Sequence, residues 1–471
     1  MTAARLAILL LLLSGLARAD SFLPAGAFSY EQTRLDNGLR IVVQRVHSAP
    51  YVSARLVTRT GTGHFSCENR ELPHLVEHLL FSANAQLEES RIDDQVTAWG
   101  GAVNAFTYPA QTDVVLDVHA QFQAEAMQLL ATMIHDFAPQ ADDVEREKLV
   151  VERESGVAHS PFRLWWSAQP FTQRALTAFG IDAGLDCPQA LLPVQHLTVD
   201  DVRTAFTQHY VPANMILVLV GDLTDDGIAA ARAAFSALPA RPAPALPPQR
   251  IAMPAEHRYV SGWLSGAAHQ GEPAAAGISP FTDWEGYYAM LLVESWLNDR
   301  MFRELRSERG IAYTPDVGVE YQENSLLTVF SIGTEPADTA YVMQYLQALT
   351  DEVRTQGIPE QDFERMRIST LLGMAQAFER ISDRADYLAA SMREIDSGAL
   401  FDSERFYQQL DYPRFRALVA RDWPARFAIM DNSPRLPWGV LMALLAGSCG
   451  LLVLGVTLFV WRRLPHRQKV V

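Results

Sequence analysis

The stretch Glu71-Leu-Pro-His74-Leu-Val-Glu77-His78-Leu-Leu-Phe81 sets two histidines and a glutamate in the spacing H-x-x-E-H. On a helix, residues i and i+4 share a face, so His74 and His78 can offer both imidazoles to one metal ion. Glu77, three residues after His74, projects to the same side. Neutral imidazoles suit Zn²⁺, and a catalytic zinc site takes three protein ligands and keeps one position for water. Glu77 then stands where it can take a proton from that water. Leu75, Val76, Leu79 and Leu80 fill the positions between and would bury the opposite face of the helix. Alone, the pattern also fits a helix with two surface histidines and an acid.

A third ligand should be a carboxylate from another helix. The amphipathic segment Asp142–Ala158 carries Glu145, Glu147, Glu152 and Glu154. Glu147 and Glu154 lie seven residues apart, about two helical turns, and therefore on one face. One can ligate while the other orients a ligand or tunes the water. Without the histidine pair, such a charge run reads as a solvated face.

Together these segments resemble the pitrilysin/insulinase family of zinc metallopeptidases, which includes the mitochondrial processing peptidases. Seventy-five residues separate His78 from Glu154, as in the family's H-x-x-E-H followed by E-x(6)-E. The resemblance implies His74, His78 and Glu154 as ligands of one Zn²⁺ per chain, Glu77 as general base and Glu147 as accessory glutamate. Gly100-Gly-Ala-Val-Asn104-Ala-Phe-Thr107 resembles the family's edge-strand segment, where a peptide adds as a β-strand. Asn104, Ala105 and Phe106 are then the substrate-contacting residues. Arg306-Ser-Glu-Arg-Gly-Ile-Ala-Tyr313 resembles the R-x(6)-Y element, which implies that Arg306 and Tyr313 stabilise the tetrahedral oxyanion. The same two residues also read as a helix end capped by Gly310. The chain departs from the family around the motif, where Arg70-Glu-Leu-Pro73 and Ser82-Ala83 replace glycine-bearing loops.

Outward from the motif, strands are expected at Leu39–Gln44, Val52–Thr58, Val103–Tyr108, Asp113–His119 and Met215–Val220, with helices at Leu72–Phe81, Phe122–Phe137 and Asp142–Ala158. The second half repeats the rhythm: a helix at Trp284–Ser307, strands at Thr314–Tyr321 and Leu326–Ile332, helices at Ala337–Gln356 and Gln361–Ile395, and a strand at Phe427–Met430. Strands in runs and helices in runs, twice over, predict two homologous α+β domains, half of a clamshell. Pro239 to Pro248 is dense in proline and reads as an extended linker. The expected division is a zinc-binding domain at 20–238, a linker at 239–256 and a second domain at 257–433 that carries the Arg/Tyr element.

The two ends read differently. Residues 1–19 hold Arg5, the apolar run Leu6–Leu13 and the small-residue close Ala17-Arg-Ala19, the pattern of a secretory signal peptide. Residues 438–461 carry no charge, begin and end with Trp438 and Trp461, and lead into the basic tail 462–471. That pattern predicts a transmembrane helix with its tail in the cytoplasm, and hence a catalytic body on the periplasmic side of the inner membrane. Cys67 and Cys187 would meet an oxidising compartment, where they can pair. The formal charge is −16; setting aside two arginines in the leader and four basic residues in the tail leaves −22 on the body. So acidic a surface argues against a nucleic-acid partner.

The expected function is a membrane-anchored, extracytoplasmic zinc metalloendopeptidase acting on peptides or unfolded polypeptides. In the resembled family the zinc and the Arg/Tyr pair come from different domains of a four-domain shell. A two-domain chain therefore implies a homodimer, or a heterodimer with another family member. The alternative is a silent or partner-dependent scaffold subunit of a membrane complex.

Overall fold

The computed structural model describes residues 21–24, 26–85, 89–154, 194–247, 271, 273–322, 324–431 and 438–463. The expected signal peptide and Cys187, with the disulfide proposed for it, lie outside these residues.

Six strands form the first sheet: β1 (Glu31–Arg34), β2 (Arg40–Arg45), β3 (Tyr51–Thr58), β4 (Ala102–Thr107), β5 (Thr112–His119) and β6 (Met215–Gly221). Their order is β1-β2-β6-β3-β5-β4, with β2 and β6 parallel and the other neighbours antiparallel. The run Met215-Ile-Leu-Val-Leu-Val220 is apolar throughout because β6 lies in the middle of the sheet and both of its faces are covered. Leu217 and Leu219 join Leu56, Leu116 and the helices on one face. Ile216, Val218 and Val220 point to the other.

Helices α1 (Leu72–Ser82), α2 (Glu89–Ala98), α3 (Gln123–His135), α4 (Ala141–Glu154), α5 (Val199–His209) and α6 (Asp225–Ser236) belong to this half. In α1, Leu72, Leu75, Val76, Leu79 and Leu80 are buried in the core, at the spacing of one helical face. The helix needs no glycine at either end. Pro73 sits in its first turn, where a missing N–H costs no helical bond, and the Ala83 N–H closes the last turn on the Leu79 carbonyl.

The second half holds β7 (Pro273–Pro280), β8 (Ala312–Gln322), β9 (Ser325–Thr334) and β10 (Ala428–Asp431), all antiparallel in the order β10-β7-β9-β8. The same arrangement appears in the first sheet as β6-β3-β5-β4. In each half a central strand leads through a helix to an edge hairpin, then through further helices to a returning strand. The fold is therefore a pair of α+β domains with one strand order. Helices α7 (Trp284–Met301), α8 (Thr339–Gln356), α9 (Glu360–Ala377), α10 (Ile381–Ala390), α11 (Met392–Asp396), α12 (Ser403–Gln409) and α13 (Tyr412–Asp422) complete the second half.

Two expected helices are altered. The segment expected as one helix over Gln361–Ile395 is broken into α9, α10 and α11. No proline or glycine marks the first break. Phe378 turns inward to a cluster with Leu23 and Ala27, its carbonyl taken by the Arg384 guanidinium, and α10 starts at Ile381. There Ile381, Ala385, Leu388 and Ala389 cover the second face of the first sheet, so tertiary packing overrides the helical periodicity. The helix expected at Trp284–Ser307 is α-helical to Met301 and continues as a π-helix over Phe302–Glu308.

A helix, α14 (Trp438–Arg463), forms at the expected membrane span. Among the described residues no helix is long and apolar enough to cross a membrane.

Candidate metal centre

Helix α1 packs against α4 and against the edge strand β4. Its outward turn therefore faces two other elements, and five expected residues, His74, Glu77, His78, Glu147 and Glu154, meet there. His74 Nε2 lies 3.3 Å from His78 Nε2. Glu154 Oε2, from the last residue of α4, stands 3.3 Å from His78 Nε2 and 3.4 Å from His74 Nε2. Ligand atoms about 2.0–2.1 Å from a tetrahedral zinc stand about 3.3–3.4 Å from one another. The triangle thus has the size zinc requires, and its two imidazoles and one carboxylate are the donor set of a catalytic site.

The four glutamates of α4 are sorted by their partners. Glu145 binds the Lys148 ammonium at 2.7 Å, and Glu152 takes the Gln195 amide. Glu147 and Glu154 alone turn to the histidines. Glu147 Oε2 is 3.5 Å from His78 Nδ1, on the side of the ring away from the triangle. Burial pushes the Glu147 carboxyl up, but hydrogen bonds from His78, Ser82 and Arg146 outweigh it and hold the group below its ordinary value. Burial lowers His78 in turn, and Glu147, Glu154 and Glu77 more than reverse that. Carboxylates that favour a charged imidazole also favour a cation in its place.

Two functional contacts escape the sequence reading. Glu71 Oε2 meets His74 Nδ1 at 3.0 Å, so each histidine has a carboxylate behind it. Such partners fix ring orientation and tautomer. The i−3 spacing of Glu71 on the same helix was the available signal. The Thr107 hydroxyl donates to Glu77 Oε2 at 2.6 Å and leaves Oε1 for other contacts. That bond depends on β4 lying beside α1, which no local pattern states. Glu77 itself is 9% exposed.

Asn104, Ala105 and Phe106 lie in β4, the outer strand of the sheet. Ala105 is buried toward α1, while Asn104 and Phe106 are exposed. The Asn104 side-chain oxygen accepts from the Ala105 amide at 2.9 Å.

Arg306 and Tyr313 are not brought to the triangle. Arg306 lies in the π-helical segment, where it donates to the Tyr313 carbonyl and stacks on Phe302. The Tyr313 hydroxyl donates to Glu335 at 3.1 Å. Their hydrogen bonds and ring contacts, among the described residues, stay within the second domain.

A pair of like α+β domains, with an H-x-x-E-H helix and a glutamate from a neighbouring helix closing a zinc-sized triangle, defines the class of inverted zincin hydrolases. Residues 40–164 match the family description Insulinase (Peptidase family M16), and residues 196–369 match Peptidase M16 inactive domain. The chain belongs to this insulinase family of peptidases. An uncharacterised zinc protease of Mycobacterium bovis is 24% identical over 396 residues, covering 82% of this chain and 89% of the relative. The crystal structure of a protease from Helicobacter pylori has a TM-score of 0.71 at 17% identity and covers 86% of this chain and 100% of that one. The first half of the periplasmic protease PqqL from Escherichia coli has a TM-score of 0.63 at 17% identity, covering 87% of this chain and 92% of that one. Against whole PqqL this chain covers 47% of the longer protein, so its fold is that of one half.

Proposed function

We propose that this chain is a zinc metalloendopeptidase that hydrolyses peptides or unfolded polypeptides, with one zinc held by His74, His78 and Glu154. The observation that carries the reading is the 3.3–3.4 Å triangle of His74, His78 and Glu154 beside the buried Glu77. A zinc ion bound there supplies a Lewis acid that acidifies water and polarises a carbonyl. Glu77 takes the proton of the attacking water and passes it to the leaving amine. Thr107 holds Glu77 Oε2 and leaves Oε1 to take the proton. Glu71 and Glu147 hold the two imidazoles from behind. The peptide adds as a strand along β4 beside Asn104, Ala105 and Phe106.

Arg306 and Tyr313 contact the oxyanion from a partner chain. Their local hydrogen bonds, and the match to one half of a longer protease, both support a dimer. The body faces the periplasm and α14 anchors it in the inner membrane. Exposed Leu445, Leu451, Leu452 and Val453 on an uncharged helix run support that placement. A partner-dependent scaffold is the second reading, favoured by the separation of Arg306 and Tyr313 from the triangle.

Metal analysis of the purified full chain tests the site. About one zinc per chain is expected, lost in Glu154→Gln and in His78→Ala. A wild type that binds no zinc after dialysis against micromolar metal contradicts the reading.

A further inference from the structure

The two edge strands, β4 and β8, occupy matching places in the two domains, yet their outer backbones are treated in opposite ways. In an antiparallel edge strand, alternate residues turn both N–H and C=O away from the sheet, and these groups form the template on which another strand adds. In β8 several of these groups are taken, at Tyr313, Val317 and Val319. The Asn298 side chain bonds Val317 twice, its amide donating to the Val317 carbonyl at 2.9 Å and its oxygen accepting from the Val317 N–H at 2.9 Å. An amide side chain here copies the pair of bonds that an incoming peptide would make. One helical turn earlier on α7, Glu294 accepts from the Val319 N–H at 2.9 Å. Toward the other end of the strand, Arg306 donates to the Tyr313 carbonyl. Pro315 has no N–H to offer, and the register shifts between Ala312 and Pro315. Asp316 and Glu320 add charge.

By contrast, β4 reads Ala-Val-Asn-Ala-Phe-Thr, without proline or charge, and pairs with β5 in continuous register. Its one side chain-to-backbone bond, among the described residues, is from its own Asn104. The helix that matches α7 in the first half is α1. It turns Glu77 onto the Thr107 side chain and leaves the strand's backbone alone.

We propose that Asn298 and Glu294 close the outer edge of β8 against an incoming peptide strand, so that each chain adds peptide at β4 only. The second domain keeps the helix-over-edge geometry of the first and uses it as a plug. A bound peptide is thereby delivered to the edge beside Glu77, and two chains cannot join edge to edge through β8. The inference rests on β4 being the peptide-accepting edge of the proposed peptidase.

Backbone hydrogen exchange of the full chain tests it without any turnover. The probe is a ten-residue peptide of alternating valine and threonine with lysines at both ends, added to Glu77→Gln protein. With the edge closed, the Val317 and Val319 amides are protected before peptide is added. The peptide then adds protection at residues 102–107 and none at 312–322. In Asn298→Ala/Glu294→Ala, protection of Val317 and Val319 falls by about ten-fold or more, and the peptide now protects both edges. If that variant does not fold, the Glu77→Gln protein with its plug intact still decides the question. Peptide protection at 312–322 with Asn298 and Glu294 intact overturns the closure. Fast exchange of Val317 and Val319 before peptide overturns it as well. Protection at neither edge, in a protein that still cleaves peptides without the Glu77→Gln change, overturns strand addition and leaves the peptidase reading standing. Protection at β4 in a protein that never cleaves leaves the closure standing and overturns the peptidase.

Discussion

Glu71 and Thr107 are the residues on which the chemistry at the smallest scale can be tested. Glu71 touches the His74 ring nitrogen turned away from the triangle. Its loss should loosen the metal without removing a ligand, so Glu71→Ala should weaken zinc affinity by about 10–100-fold. Competition with a fluorescent chelator measures this. Thr107 gives its hydroxyl to the proposed base. A hydrogen bond to a charged group is worth about 1.5–3 kcal/mol. Thr107→Val should therefore lower kcat about ten-fold or more with KM and zinc content unchanged, and Thr107→Ser should restore it. Steady-state kinetics on one fluorogenic peptide separates these outcomes. The ligand helix was legible because i, i+4 spacing is a local property of sequence. The partners of its side chains were not read: Glu71, at the N-cap, offered an i−3 signal, and Thr107, on β4, offered none.

At the scale of elements, the first sheet carries a pH dependence. Asp113 in β5 is buried, and burial pushes its carboxyl up from 3.8 to about 7, with only partial relief from Gln111 and Arg55. The folded chain thus holds a proton between about pH 4 and 7 that the unfolded chain releases. Stability from this group is full below that window and falls as pH rises through it. Asp113→Asn should flatten the decline in Tm between pH 5 and 8, and should raise Tm at pH 8. Differential scanning calorimetry at the two pH values checks the slope. The central strands were legible from apolar runs such as Met215–Val220. By contrast, β7 begins Pro-Ala-Ala-Ala-Gly and has no strand-like pattern; it is a strand because β9 and β10 flank it. The break after Ala377 was hidden for the same reason. The burial of Phe378 and the docking of α10 on the first sheet are long-range facts.

At the scale of the molecule, the two halves are tied together through α10. Arg55, 2% exposed within β3, reaches Asp386 at 2.6 Å and Asp117 at 2.8 Å, joining the first sheet to a helix of the second domain. The joined pair carries every part of the proposed site but places Arg306 and Tyr313 apart from the zinc ligands. If a partner chain supplies them, Glu77→Gln and Arg306→Ala should each be inactive alone and should complement when unfolded together and refolded. Random pairing makes half of the dimers mixed, each with one whole site, so about a quarter of the wild-type rate should return. No recovery would place the Arg306 function within one chain or dispense with it. The repeated strand order was legible as rhythm, whereas the unlike treatment of the two edges was not. Asn298 and Val317 are nineteen residues apart and meet only when α7 lies along β8.

The most direct test of the central claim is cleavage of a mixed quenched-fluorescence peptide library by the zinc-loaded full chain, run beside its Glu77→Gln variant. The account predicts cleavage by the wild type and a loss of at least about a hundred-fold in the variant, with zinc retained by both. Equal rates in the two proteins, or no cleavage by a folded, zinc-loaded wild type, would contradict it.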